Sequence, residues 1–295
     1  MPVDVDASVL GVTRLSADYN VVEFDAPAIA EQAQPGQFVM VRPAGGLEPL
    51  LRRPFSIFEI LRHASGRVSG FSLLNRRVGV TTARLLSAKS GDRFQCLGPL
   101  GRPFVAVDPP GEAWMVAGGV GLAPFATLAD ELARRRTPTT LFYGARTATE
   151  LMCRDRFEAR PCEMVLATED GSLGHSGRVT EPLARAFERR QHTSELTLYA
   201  CGPTPMMRAV AELATAHGCR CLVSLEPVMG CGLGGCYSCV VAVDETSTGS
   251  HFVRACLEGP VFDAGRIAWS RLAESSHHGS SIAGATSRPN GARSA

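Results

Sequence analysis

The stretch "DPPG", Asp108 to Gly111, divides the chain into two rhythms, and few folds accommodate both. Before it, "VVEFDA", "QFVMVRP", "PFSIFEI", "VSGFSLL" and "RFQCLGPLG" are short apolar or alternating runs with Gly, Pro, Asp or Asn between them. That spacing predicts a small antiparallel β-barrel, interrupted by helical character from Thr81 to Ala88. After it, strands such as "AWMVAGG", "TTLFYGAR", "EMVLATED", "LTLYACG" and "CRCLVSLE" alternate with amphipathic helices such as "GLAPFATLADELARRR" and "TPMMRAVAELATAHG". Alternation of that kind makes a parallel sheet flanked by helices. The expected fold class is multidomain, α/β plus β. Its divisions are a barrel over 1–108, an α/β domain over 109–222, a small cysteine-bearing module over 223–270, and a tail over 271–295. The tail is rich in Ser, Gly, His and Arg and is expected to be disordered.

Composition narrows the function classes. The chain has 295 residues, 45% hydrophobic and 20% charged, as in a globular protein with a substantial core. A net charge of +1 suggests neither nucleic acid nor an anionic membrane as a partner. The N-terminus "MPVDVDASVL" is acidic where a signal peptide would be basic. The longest uncharged run, Ala113 to Ala129, is broken by three glycines and a proline. A membrane helix needs about 20 mainly apolar residues, so no membrane span and a cytoplasmic location are expected.

Ten cysteines are many for such a location, and only the C-terminal ones are clustered. Cys231, Cys236, Cys239 and Cys256 give C-x4-C-x2-C and a distant fourth, the plant-type ligand pattern of a [2Fe-2S] cluster. Glycines between them let backbone N–H groups approach the sulfurs. Zinc also accepts four thiolates but usually takes two C-x2-C knuckles, and only one such pair exists here. Disulfides are the third reading, disfavoured by a reducing compartment.

A cluster moves single electrons, so a nicotinamide partner reaction would require a flavin between them. "RRPFSI" offers Arg53 to a diphosphate and Ser56 to an isoalloxazine edge, although an Arg before a strand is also an ordinary solvated charge. "AGGVGLAPF" follows a strand and opens a helix, with Gly118, Gly119 and Gly121 in the turn. Pro124 stands where the dinucleotide fingerprint has its third glycine. A phosphate-accepting turn and a merely tight turn both fit. Cys201, Gly202 and Pro203 repeat the strand-to-helix geometry, and Cys201 is either a small buried side chain or a group facing the nicotinamide. Strand "TTLFYGAR" ends in Arg146 with no acid, which on its own leans toward NADP.

The order RPFS, "LGPLGRPF", "GGVGLAP", "YGAR", "TEDGSLGHSG", "ACGP" resembles the ferredoxin reductase superfamily of flavin- and nicotinamide-binding oxidoreductases. With "MGCGLGGCYSCVV" and "RACLEGPVF" added, the chain from residue 7 to 270 is similar to the electron-transfer subunits of two-subunit dihydroorotate dehydrogenases. The resemblance implies FAD on the barrel, held by Arg53, Pro54, Phe55 and Ser56, by Ser72, Leu73 and Leu74, and by a diphosphate turn at Gly79, Val80 and Thr81. Where the family has Gly-Thr, this chain has Gly79-Val80, which questions the contact at Val80. It also implies NAD, with NADP as the alternative, docking on the second domain and passing hydride to FAD. Electrons then leave singly through the cluster to the FMN of a dihydroorotate dehydrogenase catalytic subunit in a heterotetramer, in pyrimidine biosynthesis. No side chain is required as a catalytic acid or base. The same architecture serves diaphorase-like subunits of sulfide dehydrogenases, NADH-dependent ferredoxin-NADP oxidoreductases and hydrogenases. Met229, Leu233 and Tyr237 are expected as apolar contacts to the partner.

Overall fold

The computed structural model describes residues 1–275 apart from 47, 191–193 and 246–248. The first rhythm becomes seven antiparallel strands: β1 (Val3–Arg14), β2 (Tyr19–Asp25), β3 (Phe38–Pro43), β4 (Arg53–Ser56), β5 (Glu59–Arg62), β6 (Val68–Arg76) and β7 (Arg93–Leu100). Their order is β4-β3-β7-β1-β2-β6-β5. The expected barrel is thus a curled sheet whose ladder is not closed by pairing of its two edges. Those edges are instead pieces of one segment. The Ile57 N–H donates to Gln37 O beside β3, and the next N–H, of Phe58, donates to Ser72 O on β6. One strand therefore changes partners at a corner and joins the two ends. β1 is central to the sheet and was legible in the alternation of Val3, Val5, Ala7 and Val9 with Asp4, Asp6 and Ser8, which the acidic look of the N-terminus obscures. Helix α1 (Pro27–Ala30) lies between β2 and β3, and α2 (Val80–Leu86) between β6 and β7. The latter falls within a residue or two of the predicted helix.

The second rhythm becomes β8 (Glu112–Gly118), β9 (Thr139–Ala145), β10 (Glu163–Thr168), β11 (His175–Ser176), β12 (Leu196–Cys201) and β13 (Arg220–Ser224). Helices α3 (Phe125–Arg135), α4 (Arg154–Glu158), α5 (Thr180–Arg189) and α6 (Thr204–Ala216) connect them. The sheet order is β11-β10-β9-β8-β12-β13-β16, where β16 (Val261–Asp263) is the one antiparallel member. Helix α3 turns Phe125, Leu128, Ala129 and Leu132 to the core, and Arg134 and Arg135 sit in its last turn, where the helix dipole favours cations.

The cysteine module adds a hairpin of β14 (Val240–Glu245) and β15 (Gly249–Arg254), then α7 (Ala255–Glu258), β16 and α8 (Trp269–Ser275). It is not a separate unit. The boundary drawn at 222 cuts β13, and β16 returns to pair with that strand. The boundary at 271 falls inside α8, and residues 276–295 of the expected tail lie outside the described residues. One apolar core joins Phe38, Met40 and Leu100 of the barrel, Trp114 and Val116 of the parallel sheet, and Met229, Val241 and Cys256 of the module. Full burial of side chains such as Phe38 contributes about 1.5–3 kcal/mol each, so these seams are stable ones. Among the described residues, no helix is long and apolar enough to cross a membrane.

Candidate functional site

A cleft of about 590 Å³ runs between the barrel and the α/β domain, within the range of small-molecule sites. The barrel supplies Arg53, Pro54, Phe55 and Ser56 from β4, Leu74 and Arg76 from β6, and Gly79, Val80, Thr81 and Thr82 at the start of α2. The α/β side supplies Val120, Ala123, Ser224 and Glu226, and Met229 comes from the module. Ser72 and Leu73 do not reach it. Leu73 is fully buried in the barrel core, and the Ser72 hydroxyl turns to Glu59 Oε2 at 3.4 Å. Adjacent strand residues point to opposite faces, so Leu73 turns away from the face that Leu74 and Arg76 present to the cleft.

The turn at Gly79 is fixed by hydroxyls. Thr82 Oγ1 accepts the N–H groups of Val78 and Gly79, both at 2.8 Å, and donates to Gly79 O at 2.9 Å. Thr81 Oγ1 lines the cleft, is buried, and has no hydrogen-bond partner. Such an atom costs about 1–3 kcal/mol unless something satisfies it. Thr81, one residue after the unexpected Val80, therefore offers the polar group that Val80 lacks. Arg76, which no sequence motif marks, also lines the cleft, with its guanidinium 5.7 Å from the Tyr19 ring centre.

The glycines after β8 divide into two jobs. A Cβ at Gly121 would sit 2.4 Å from Cys201 O, and one at Gly118 would sit 2.7 Å from Pro203 Cδ. These glycines, with Gly202, let the turns after β8 and β12 touch. Gly119 has φ +55° and open space beside its Cα, so it alone keeps room for a bound group. Pro124 leads directly into α3. Cys201 is fully buried and does not face the cleft. Its Sγ donates to Glu226 Oε1 at 3.8 Å, so any influence on a ligand passes through Glu226. Burial holds the Cys201 thiol well above its ordinary pKa and raises that of Glu226, the one acidic side chain of the lining. Arg146 is bound by Glu150 at 2.5 Å, which offsets the cation that had suggested NADP.

The four cysteines stand on and beside one loop. Cys231 is half-buried, Cys236 exposed, Cys239 and Cys256 buried. Among the described residues, no three Cys, His, Asp or Glu side chains gather as one metal ion would require. The thiols influence one another, Cys231 acting on Cys236 and both Cys239 and Cys231 acting on Cys256, so the four are near neighbours. Four thiolates in this spacing are what a cluster of two irons asks for. The donor set therefore fits that group better than a single zinc. Hydrogen bonds from Ser238, by hydroxyl and backbone, bring the Cys236 thiol down to about 6, while burial pushes Cys256 up to about 12. The Leu233 N–H donates to Cys231 Sγ at 3.3 Å.

The loop is seated by residues that spacing alone does not reveal. Gly232, at φ +74°, lies so near Met40 that a Cβ would be 2.6 Å from its Cγ. Arg254 donates to Gly234 O at 2.9 Å and lies 4.7 Å over the Tyr237 ring. Leu233 and Tyr237 are exposed as expected, at 55% and 62%, but Met229 is buried in the core and cleft wall. Val240, Phe252 and Leu257 are further exposed apolar residues of the module.

Residues 115–212 match a family model described as an oxidoreductase NAD-binding domain, and residues 226–268 match the iron-sulfur cluster binding domain of dihydroorotate dehydrogenase B. A protein of Desulforamulus reducens named dihydroorotate dehydrogenase B (NAD(+)), electron transfer subunit, is 41% identical over 265 residues, 90% of this chain and 98% of the relative. The chain belongs to that family. A member from Geobacillus thermodenitrificans with the same name is 38% identical over 241 residues, covering 81% of this chain and 88% of its own. Among solved structures, that of an NADH-dependent reduced ferredoxin-NADP oxidoreductase superposes with a TM-score of 0.78 at 28% identity, covering 91% of each chain. The ferredoxin reductase of carbazole 1,9a-dioxygenase shares the fold, with a TM-score of 0.62 at 24% identity over 74% of this chain and 67% of that one.

Proposed function

We propose that this protein is the electron transfer subunit of an NAD-dependent dihydroorotate dehydrogenase, working in the cytoplasm beside a catalytic subunit that carries FMN. What carries the reading is the 41% identity over almost the whole length of a relative so named, in a chain that has four cysteines in the ligand spacing of a cluster. When bound, FAD supplies the conversion between electron pairs and single electrons, and a [2Fe-2S] cluster supplies a one-electron exit.

Arg53, Pro54, Phe55, Ser56, Leu74, Gly79, Val80 and Thr81 would hold FAD, with Arg76 and Thr82 added to them. The buried Thr81 hydroxyl and the Arg53 and Arg76 guanidiniums suit a diphosphate. Gly119 leaves the approach open for NAD, while Gly118, Gly121, Gly202 and Pro203 pack the two turns that would carry it, and Pro124 starts the helix behind. Cys201 acts on this end only by donating to Glu226. Cys231, Cys236, Cys239 and Cys256 would ligate the cluster, with Arg254 and Ser238 fixing the loop. The exposed rim of Leu233, Tyr237, Val240, Phe252 and Leu257 excludes water around Cys236 once covered, and an apolar surface of this kind suits a stable partner better than a charge-steered encounter.

Co-expression with a dihydroorotate dehydrogenase catalytic subunit tests the proposal. A single heterotetrameric peak on size-exclusion chromatography, with NADH formed from NAD and dihydroorotate, is the expected result. Separate elution without NAD-linked turnover would move the chain to another diaphorase-type complex.

A further inference from the structure

Behind the cleft, four charged side chains meet where barrel and α/β domain touch. Glu59 on β5 takes Arg156 of α4 on one carboxylate oxygen and Arg160 Nη2 on the other, the latter at 3.2 Å. Arg160 also grips Asp130 of α3, with Nε at 2.7 Å and Nη2 at 3.2 Å. The Arg156 guanidinium lies 5.6 Å over the ring of Phe58, and Ser72 adds its hydroxyl to Glu59. The side chains of Glu59 and Arg160 are each only 15% exposed. Burial works against the Arg160 charge, but Asp130 and Glu59 more than offset it and raise its pKa.

Asp130 is 55% exposed and its pair with Arg160 adds little stability, and the shielded Glu59–Arg160 pair adds little over an apolar contact of the same shape; what the group fixes is geometry. Here the geometry leads to the cleft. Glu59 stands three residues beyond Ser56 of the barrel wall, about 10 Å along the segment. Asp130 stands seven residues beyond Ala123 of the α/β wall, about 10 Å along the chain at a helical rise. The network thus clasps the strand behind one wall to the helix behind the other, with nearly equal arms. Nothing in the cleft lining itself spans the two walls by an ion pair among the described residues.

We propose that Glu59, Arg156, Arg160 and Asp130 form a latch that sets the width of the cleft, making Glu59 and Arg160 positioning residues for hydride transfer between nicotinamide and flavin. This rests on the cleft being the flavin and nicotinamide site. The reacting atoms must come within about 3–3.5 Å, and a misplacement of about 1 Å costs on the order of a hundredfold in rate. A latch one lever arm away controls displacements of that size without touching either ligand.

The test uses the full chain loaded with FAD and cluster, as wild type, Glu59→Gln and the milder Asp130→Asn. Stopped-flow bleaching of the flavin by NADH should slow about tenfold or more in Glu59→Gln and about threefold in Asp130→Asn. The NADH Kd and the flavin midpoint potential should hold, while the long-wavelength charge-transfer band of stacked nicotinamide and flavin weakens. A latch that only stabilised the fold would lower Tm and leave rate and band alone, and that result overturns the proposal. So does a rate loss matched by a shifted potential. If wild-type flavin is not reduced by NADH, the functional reading falls, and the latch is judged by hydrogen exchange instead. Faster exchange over residues 59–62 and 154–160 in Glu59→Gln supports it, and unchanged exchange overturns it.

Discussion

The cleft takes its lining from strands and turns already held in two hydrogen-bonded sheets, whereas the cysteine loop between Met229 and Val240 has no strand or helix of its own. Both sites are assembled from apolar backing and a few polar groups. They differ in what is finished before a cofactor arrives. The cleft walls are fixed by sheet registers and a shared core, so FAD would enter a preformed space. The loop is held by a handful of contacts, from Ser238, Arg254 and Met40, and its four thiols must shed protons to bind metal. Ligand binding there is part of folding. One site selects its cofactor by shape; the other is completed by it.

The largest expected effect breaks the second site without the first. Replacing any one of Cys231, Cys236, Cys239 or Cys256 by Ser should abolish the visible iron-sulfur absorbance and iron content, while FAD remains at one per chain. Absorbance spectra, iron analysis and flavin stoichiometry on anaerobically purified protein read this out. Stoichiometric zinc in the wild type, or loss of FAD with the cluster, would contradict the separation.

An intermediate effect sharpens the claim that the cleft is preformed. Thr81→Val removes a buried hydroxyl that has no partner in the protein, so the FAD-free chain should be equally or slightly more stable. FAD affinity should nevertheless fall by about 1–2 kcal/mol, roughly 5- to 30-fold. Opposite signs in melting and in flavin titration are the signature. Unchanged affinity would remove Thr81 from the site.

The smallest effect concerns Glu226. Burial raises its folded pKa, so its contribution to stability is complete below the ordinary carboxylate value of 4.5 and is lost as pH rises through the raised value. The FAD-free protein should melt at progressively lower temperature across that window. Glu226→Gln should flatten this slope while leaving cluster absorbance intact. Parallel Tm–pH curves for the two proteins would show that Glu226 is not the group responsible.

How much of this could be read from the sequence follows the same division. The candidate cluster loop was legible because three of its four cysteines lie within nine residues and the thiol is the chemistry itself. The turn after β8 was legible as a turn, but only packing distinguishes Gly121, pressed against Cys201, from Gly119, left open. Glu226, Arg76 and Arg254 carried no local signal. They matter because sheet order brings the ends of β13 and β6 to one cleft and the end of β15 over the loop. Ser72, Leu73 and Met229 show the converse: Ser72 turns its hydroxyl to Glu59, Leu73 faces the barrel core, and Met229 is buried against core and cleft rather than exposed to a partner.

β16 has a consequence for the order in which the molecule is made. The edge strand of the nucleotide-binding sheet, Val261–Asp263, is synthesised after the cysteine loop. Until then β13 presents unpaired N–H and C=O groups, the kind of open edge that recruits foreign strands. The nascent α/β domain therefore waits, one edge bare, while Cys231, Cys236 and Cys239 emerge, and Cys256 arrives five residues before the strand that seals the sheet. Loop and sheet reach completion in the same short interval of translation.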